Sequence, residues 1–141
     1  MTTPATASLT SPLPASAFFA RWADMSTWSD WNVDTERVRL DGPFIEGATG
    51  VLKPQGGPQV PFLITRLDEH AFVDESRLFG ARLVCAHVVS PVEEGTRVDV
   101  TVTLTGPLAA AWRVILGGGI VRTLRQDLDS LVVAAGTNSH R

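Results

Sequence analysis

"TRVDVTVTLTGPLAAAW", residues 96–112, changes its period partway along. Val98, Val100, Val102 and Leu104 alternate with Arg97, Asp99, Thr101, Thr103 and Thr105. Successive side chains of a strand point to opposite faces, so residues 96–105 are predicted to form a strand with one buried and one wet face. Gly106-Pro107 then ends the alternation. Leu108, Trp112, Ile115, Leu116, Ile120, Leu124, Leu128, Leu131 and Ala135 recur at helical spacing. Pro107 suits the first position of that helix, with Gly106 capping it, and Gly136 is a natural stop. A half-apolar sheet needs a cover on its dry face, and the helix that follows is the obvious one.

Working outward, segments near 35–41, 48–54, 60–67, 71–78 and 81–90 also read as strands. Between them lie turn signals: Asp41-Gly42-Pro43, Gln55-Gly56-Gly57-Pro58, Asp68-Glu69-His70 and Glu93-Glu94-Gly95. Connections this short make an antiparallel meander. Residues 5–10 read as a first strand. Pro14 opens a helix whose apolar face is Ala15, Phe18, Phe19 and Trp22, and Asp24 is placed to cap a second short helix through Trp28. The expected fold is α+β: a curved antiparallel sheet of six to seven strands gripping a long C-terminal helix, with two short helices after the first strand. Residues 5–136 are expected to form one domain, with loose ends at 1–4 and 137–141. A curved sheet that grips one helix leaves space between them.

Composition narrows the function. The 141 residues carry a net charge of −3, and the arginines are scattered, with Lys53 the only lysine. Phosphate binding needs a basic patch, so nucleic acid is not an expected partner. The single cysteine, Cys85, rules out an intrachain disulfide. His70 lies in a turn and His140 in the tail, and nothing has metal-ligand spacing, so neither a metal nor a cofactor is expected. The first ten residues lack the basic and apolar regions of a signal peptide. The longest apolar run, 108–121, is interrupted by Arg113 and is too short to span a bilayer. The expectation is a cytoplasmic protein with no membrane span, and a homodimer is compatible with every reading below.

Four stretches in order carry a family resemblance: "FFARWADMSTWSDWN" (18–32), "GATGVLKP" (47–54), "HVVSPVEEGTRV" (87–98) and "LTGPLAAAWRVILGGGI" (104–120). An apolar helix with Trp-Asp, then W-x-x-W, G-x-x-G, His-x-apolar-x-Pro before a Gly-Thr-Arg turn, and Gly-Pro-Leu opening the last helix resemble the START-like helix-grip superfamily (SRPBCC), in particular its polyketide cyclase/dehydrase-like branch. The resemblance spans nearly the whole chain and rests on fold motifs, not catalytic ones. It implies a single-domain helix-grip fold with a cavity for a hydrophobic small molecule. Members bind lipids, hormones, polyketides or aromatic metabolites, and some cyclise or dehydrate polyketides.

The residues themselves weigh the sites. Trp28 and Trp31 have Ser29 and Asp30 as neighbours, which would repel phosphate, so they read as a structural plug at the open end of the sheet, with Trp28 showing a ring to the cavity. His87 sits mid-strand in "LVCAHVVS". If Val89 faces inward, period two brings Cys85 and His87 to the same face, but a one-residue change at the Glu93-Glu94-Gly95 turn would reverse it. An inward His87 would be the one candidate general base; an outward or satisfied histidine is the alternative. Cys85 and His87 do not form a nucleophile–base pair: residues two apart on a strand are about 7 Å apart and no orienting group is evident. Asp74, Glu75 and Arg77 share a strand but alternate between its faces, and receive no catalytic role. Gly117-Gly118-Gly119 interrupts the last helix at about 1 kcal/mol per glycine, which favours a bend that widens a pocket over a plain break.

The expected cavity lining is Trp28, Phe62, Cys85, His87, Val89, Val100, Val102, Trp112, Leu116, Gly119 and Ile120. The expected function is binding of a small hydrophobic or aromatic molecule, without necessary turnover. Two alternatives stand: a polyketide cyclase/dehydratase-type enzyme using a cavity general base, and a protein-interaction module with a filled cavity.

Overall fold

Turn residues and alternation give the chain its order of elements. The computed structural model describes residues 5–32, 35–55, 58–112, 114, 126 and 128–135. They comprise β1 (Ala5–Ser11), α1 (Ala15–Ala23), a 3-10 turn (Met25–Thr27), α2 (Trp28–Trp31), β2 (Thr35–Asp41), β3 (Thr49–Pro54), β4 (Val60–Leu67), β5 (Ala71–Leu78), β6 (Ala81–Val92) and β7 (Gly95–Thr105). Residues 109–112 and 128–135 are helical. The seven strands form one antiparallel sheet in the order β1-β7-β6-β5-β4-β3-β2. This is the helix-grip fold expected from the sequence.

Three details differ from expectation. The second short helix runs on to Trp31, in two pieces, because Thr27 N–H and Oγ1 both bond the Asp24 carbonyl and close a tight 3-10 turn first. Strand β6 continues through Pro91-Val92, since Val92 pairs with Gly95 and only Glu93-Glu94 remain as the loop. The last helix opens at Ala109, not Pro107: Leu108 N–H is spent on the Gly80 carbonyl, which ties the helix start to the β5–β6 turn.

The dry face follows from parity. Val98, Val100, Val102 and Leu104 of β7 are buried, as the alternation predicts. Register carries that face across to Cys85 and His87 on β6, Asp74 and Phe72 on β5, and Ile64 and Phe62 on β4. Beyond Phe62 stands Gly50 of β3, where a Cβ would lie 2.5 Å from the Phe62 ring. The missing side chain is what lets the ring lie down over the sheet.

The C-terminal helix covers this face. Leu128, Leu131 and Ala135 join Phe18, Trp22, Phe72, Val98 and Val100 in one apolar core. Buried Arg21 clamps α1 to the same helix, donating from Nε to the Ala134 carbonyl (3.1 Å) and from Nη1 to Thr27 Oγ1 (3.2 Å). A cation on a carbonyl near a helix C-terminus is doubly favourable, through the hydrogen bond and the helix dipole. The glycine run 117–119 and the two chain ends lie outside the described residues.

Candidate functional site

The middle of the dry face is not wholly apolar. Strand β5 reads Phe72-Val73-Asp74-Glu75-Ser76, and alternation sends Phe72, Asp74 and Ser76 inward. Glu75 and Arg77 take the other face, where Glu75 lies 3.8 Å from Arg82. Asp74 is opposite Ile64 on one side and Cys85 on the other. It is 9% exposed and Ser76 is 6% exposed. Among the described residues neither side chain has a hydrogen-bond or ion-pair partner. Removal from water without compensation raises the Asp74 pKa from 3.8 to about 7. Its carboxyl can therefore hold or release a proton near neutrality.

His87 resolves the parity question: it faces inward. Its ring stacks on Phe72 (centroids 4.8 Å apart, 12° between planes) and lies 5.1 Å from Trp22. Nδ1 is 2.9 Å from the Phe72 carbonyl. A carbonyl only accepts, so Nδ1 carries the hydrogen and, in the neutral ring, Nε2 bears a lone pair. Burial lowers the pKa to about 4, against the opposing pull of that carbonyl. His87 is thus a neutral acceptor of fixed tautomer over most of the pH range. Both His87 and Cys85 remain half-buried although they point inward. The Cys85 thiol is pushed well above its usual value by burial and by the nearby Asp74 charge, which is the reverse of what a thiolate nucleophile needs.

The other expected lining residues divide into four groups. Phe62, Val89, Val100 and Val102 are buried on the dry face. Trp28 is buried too, but as part of the wall behind it. Its Nε1 is shared between the carbonyls of Arg21 (3.3 Å) and Trp22 (3.2 Å), and its ring packs on Trp31 and Phe72. Trp112 stands at the far end, its Nε1 donating to the Phe79 carbonyl at 2.7 Å. Leu116, Gly119 and Ile120 lie outside the described residues.

Asp74 and Ser76 are the residues that sequence reasoning passed over. The signal was present: in "AFVDESRL" the positions of Phe72 and Leu78 share parity with Asp74 and Ser76, so apolar residues bracket the polar pair on one face. What was missing was the register that aligns this face with β6. An open groove of about 490 Å³ also exists at the β5–β6 turn, lined by Arg77, Arg82 and Thr105 among others. Those side chains belong to the opposite parity, so the groove is separate from Asp74 and His87. Among the described residues no three of His, Cys, Asp and Glu gather as a metal site, and no helix is long and apolar enough to cross a membrane.

No protein-family model matches the chain, and no curated protein matches it significantly. Solved structures do match along almost its full length. Protein TTHA0849 from Thermus thermophilus superposes with a TM-score of 0.75 at 18% identity, covering 97% of this chain and 99% of that one. Ara h 8.0201 gives 0.71 at 11%, covering 96% and 98%. The di-domain ARO/CYC StfQ of the steffimycin biosynthetic pathway gives 0.76 at 10%, covering 98% of this chain and 52% of that one. At these identities the likeness is one of fold.

Proposed function

We propose that this chain, whose fold is the START-like helix-grip fold of the SRPBCC superfamily, binds a small apolar or aromatic molecule between the dry face of its sheet and its C-terminal helix. The observation that supports this most is the buried polar group set within aromatic and aliphatic walls. Among the described residues Asp74 has no hydrogen-bond or ion-pair partner, and inward-pointing His87 and Cys85 are only half-buried. A packed core disfavours such groups, whereas binding sites are mostly apolar with a few convergent polar atoms. The same fold occurs in the di-domain ARO/CYC StfQ of the steffimycin biosynthetic pathway. A thermal-shift screen of lipids, polyketides and aromatic metabolites tests the reading. Stabilisation of several degrees by an aromatic set supports it, and an experimental structure with a fully packed interior and no void would end it.

A second reading, proton transfer of the cyclase or dehydratase kind, is favoured by one specific feature. His87 Nε2 carries a lone pair held in place by the Nδ1–Phe72 bond, as a general base requires. Its low pKa makes it a weak base, so turnover by this route would be slow. Under this reading His87→Ala abolishes turnover while the fold persists. Location in the cytoplasm and a homodimeric state remain part of the proposal, tested by fractionation and by sedimentation.

A further inference from the structure

Asp74 and Ser76 define what kind of molecule would fit, given the binding reading above. Asp74 is the middle of three inward polar groups: Ser76 lies two residues along β5 from it, and His87 on β6 lies two positions beyond its partner Cys85 in the other direction, opposite Phe72. Their hydrogen-bonding capacities are unequal. His87 Nε2 accepts only, because its ring hydrogen is held by the Phe72 carbonyl. The Asp74 carboxylate accepts, and its protonated form donates once. The Ser76 hydroxyl donates and accepts. Flanking them are Phe62, Ile64, Phe72 and Val100, all buried, and β4 presents no titratable group to this face.

We propose that Asp74, with Ser76 and His87 beside it, anchors a neutral ring-bearing ligand through a hydroxyl group, and that the same carboxyl excludes acids. A hydroxyl both donates and accepts, so one group can donate to Asp74 and accept from Ser76, the residue two along the same strand. A plain hydrocarbon leaves a buried carboxyl unsatisfied. A carboxylate ligand sets two negative charges together in a medium that screens them poorly. An ammonium ligand could pair with Asp74 but must itself be stripped of water, and it offers nothing for Ser76 to donate to.

Four probes of one ring system decide the matter: 2-naphthol, naphthalene, 2-naphthoate and 1-naphthylmethylamine, each titrated calorimetrically into the full chain at about pH 8.5, where Asp74 is ionised. The expected result is 2-naphthol at least about tenfold tighter than naphthalene, the advantage of one hydrogen bond to a charged group, with 2-naphthoate weakest. In Asp74→Asn, whose amide can donate, 2-naphthoate should gain about tenfold or more. In Asp74→Leu the advantage of 2-naphthol over naphthalene should vanish, and Ser76→Ala should reduce it by a few-fold. Thermal melts of each variant establish that it is folded, and Ser76→Ala serves should either Asp74 variant fail to fold. Equal binding of 2-naphthoate and 2-naphthol, preferred binding of the amine, or unchanged ratios in the folded variants would overturn the anchor while leaving the binding site standing. Failure of all four probes to bind would count against the binding reading itself and remove the anchor with it.

Discussion

Trp28 and Asp74 both bury polar groups within reach of Phe72, and the fold treats them in opposite ways. The indole N–H of Trp28 is shared between two backbone carbonyls in the same short helical corner, within seven residues of it. Its ring then fills volume against Trp31 and Phe72. Asp74, on the neighbouring stretch of sheet, is almost as deeply buried and has no partner among the described residues. The Trp28 N–H needs nothing further, although the indole N–H groups of Trp22 and Trp31 in the same corner are buried without a partner among the described residues. Asp74 differs in kind: it is an ionisable group, and among the described residues nothing offsets its burial.

The largest effect should come from removing the Trp28 side chain. Trp28→Ala deletes a buried aromatic and should cost about 3–5 kcal/mol in a denaturant titration. A loss below about 1 kcal/mol would mean that the corner collapses onto the gap or that Trp28 carries little of the packing.

Changing Asp74 should act in the other direction, and with pH. Asp74 titrates at about 7 in the fold against 3.8 when unfolded. Between these values the native state holds a proton that the unfolded chain has released, so stability falls as pH rises through the window. At about 1.4 kcal/mol per pH unit the full cost approaches roughly 4 kcal/mol above pH 7. His87 has the opposite sign. It titrates at about 4 in the fold against 6.5 unfolded, so its contribution is complete above 6.5 and is lost as pH falls toward 4. The two slopes oppose one another between pH 4 and 6.5, and the protein's stability should change little there on their account. Asp74→Asn should leave a stability that rises with pH across that range and exceeds the parent's at pH 8 by about 1–3 kcal/mol, since the amide is itself a buried polar group. His87→Phe should leave a stability that falls with pH instead. Chemical denaturation from pH 4 to 8 reads both slopes, and parallel curves for parent and variants would refute the opposition.

The smallest effect concerns Cys85, across the strand pair from Asp74. Its thiol is held protonated, so alkylation by iodoacetamide at pH 7.5 should be at least about tenfold slower than that of a small free thiol. Asp74→Asn should speed it modestly by removing a neighbouring negative charge. Fast alkylation of the folded parent would place the thiol in a more open setting than the structure gives it.

The strands and the short helices could be read in advance because their signals are local. Alternation in 96–105, proline and glycine at the turns, and an apolar face on Ala15, Phe18, Phe19 and Trp22 each act over a few residues. The helix boundaries shifted where a tertiary bond intervened, as at Leu108, whose N–H is taken by Gly80 from a different element. The site was harder to read for a related reason. Glu75 and Arg77 adjoin Asp74 in the chain and suggest a charged surface strand, yet the pleat sends both to the far side. Sequence proximity and spatial proximity are opposed there, and Asp74 loses the partners that its neighbours advertise.

Period-two and helical patterns, with glycine and proline between them, were enough to specify a curved sheet with a gripped helix, because those preferences are intrinsic to short lengths of chain. They also brought Cys85, His87 and Val89 to one face, without saying which face. That required register. The Glu93-Glu94 loop fixes β6 against β7 so that His87 meets Val100, and the irregularity between Ile64 and Arg66 sets β4 against β5 so that Ile64 meets Asp74. Only then do a carboxyl, a hydroxyl and an imidazole stand together inside an apolar shell. The ionisation and the hydrogen bonding of those groups depend on which strands surround them, and strand neighbours are a property of the assembled sheet.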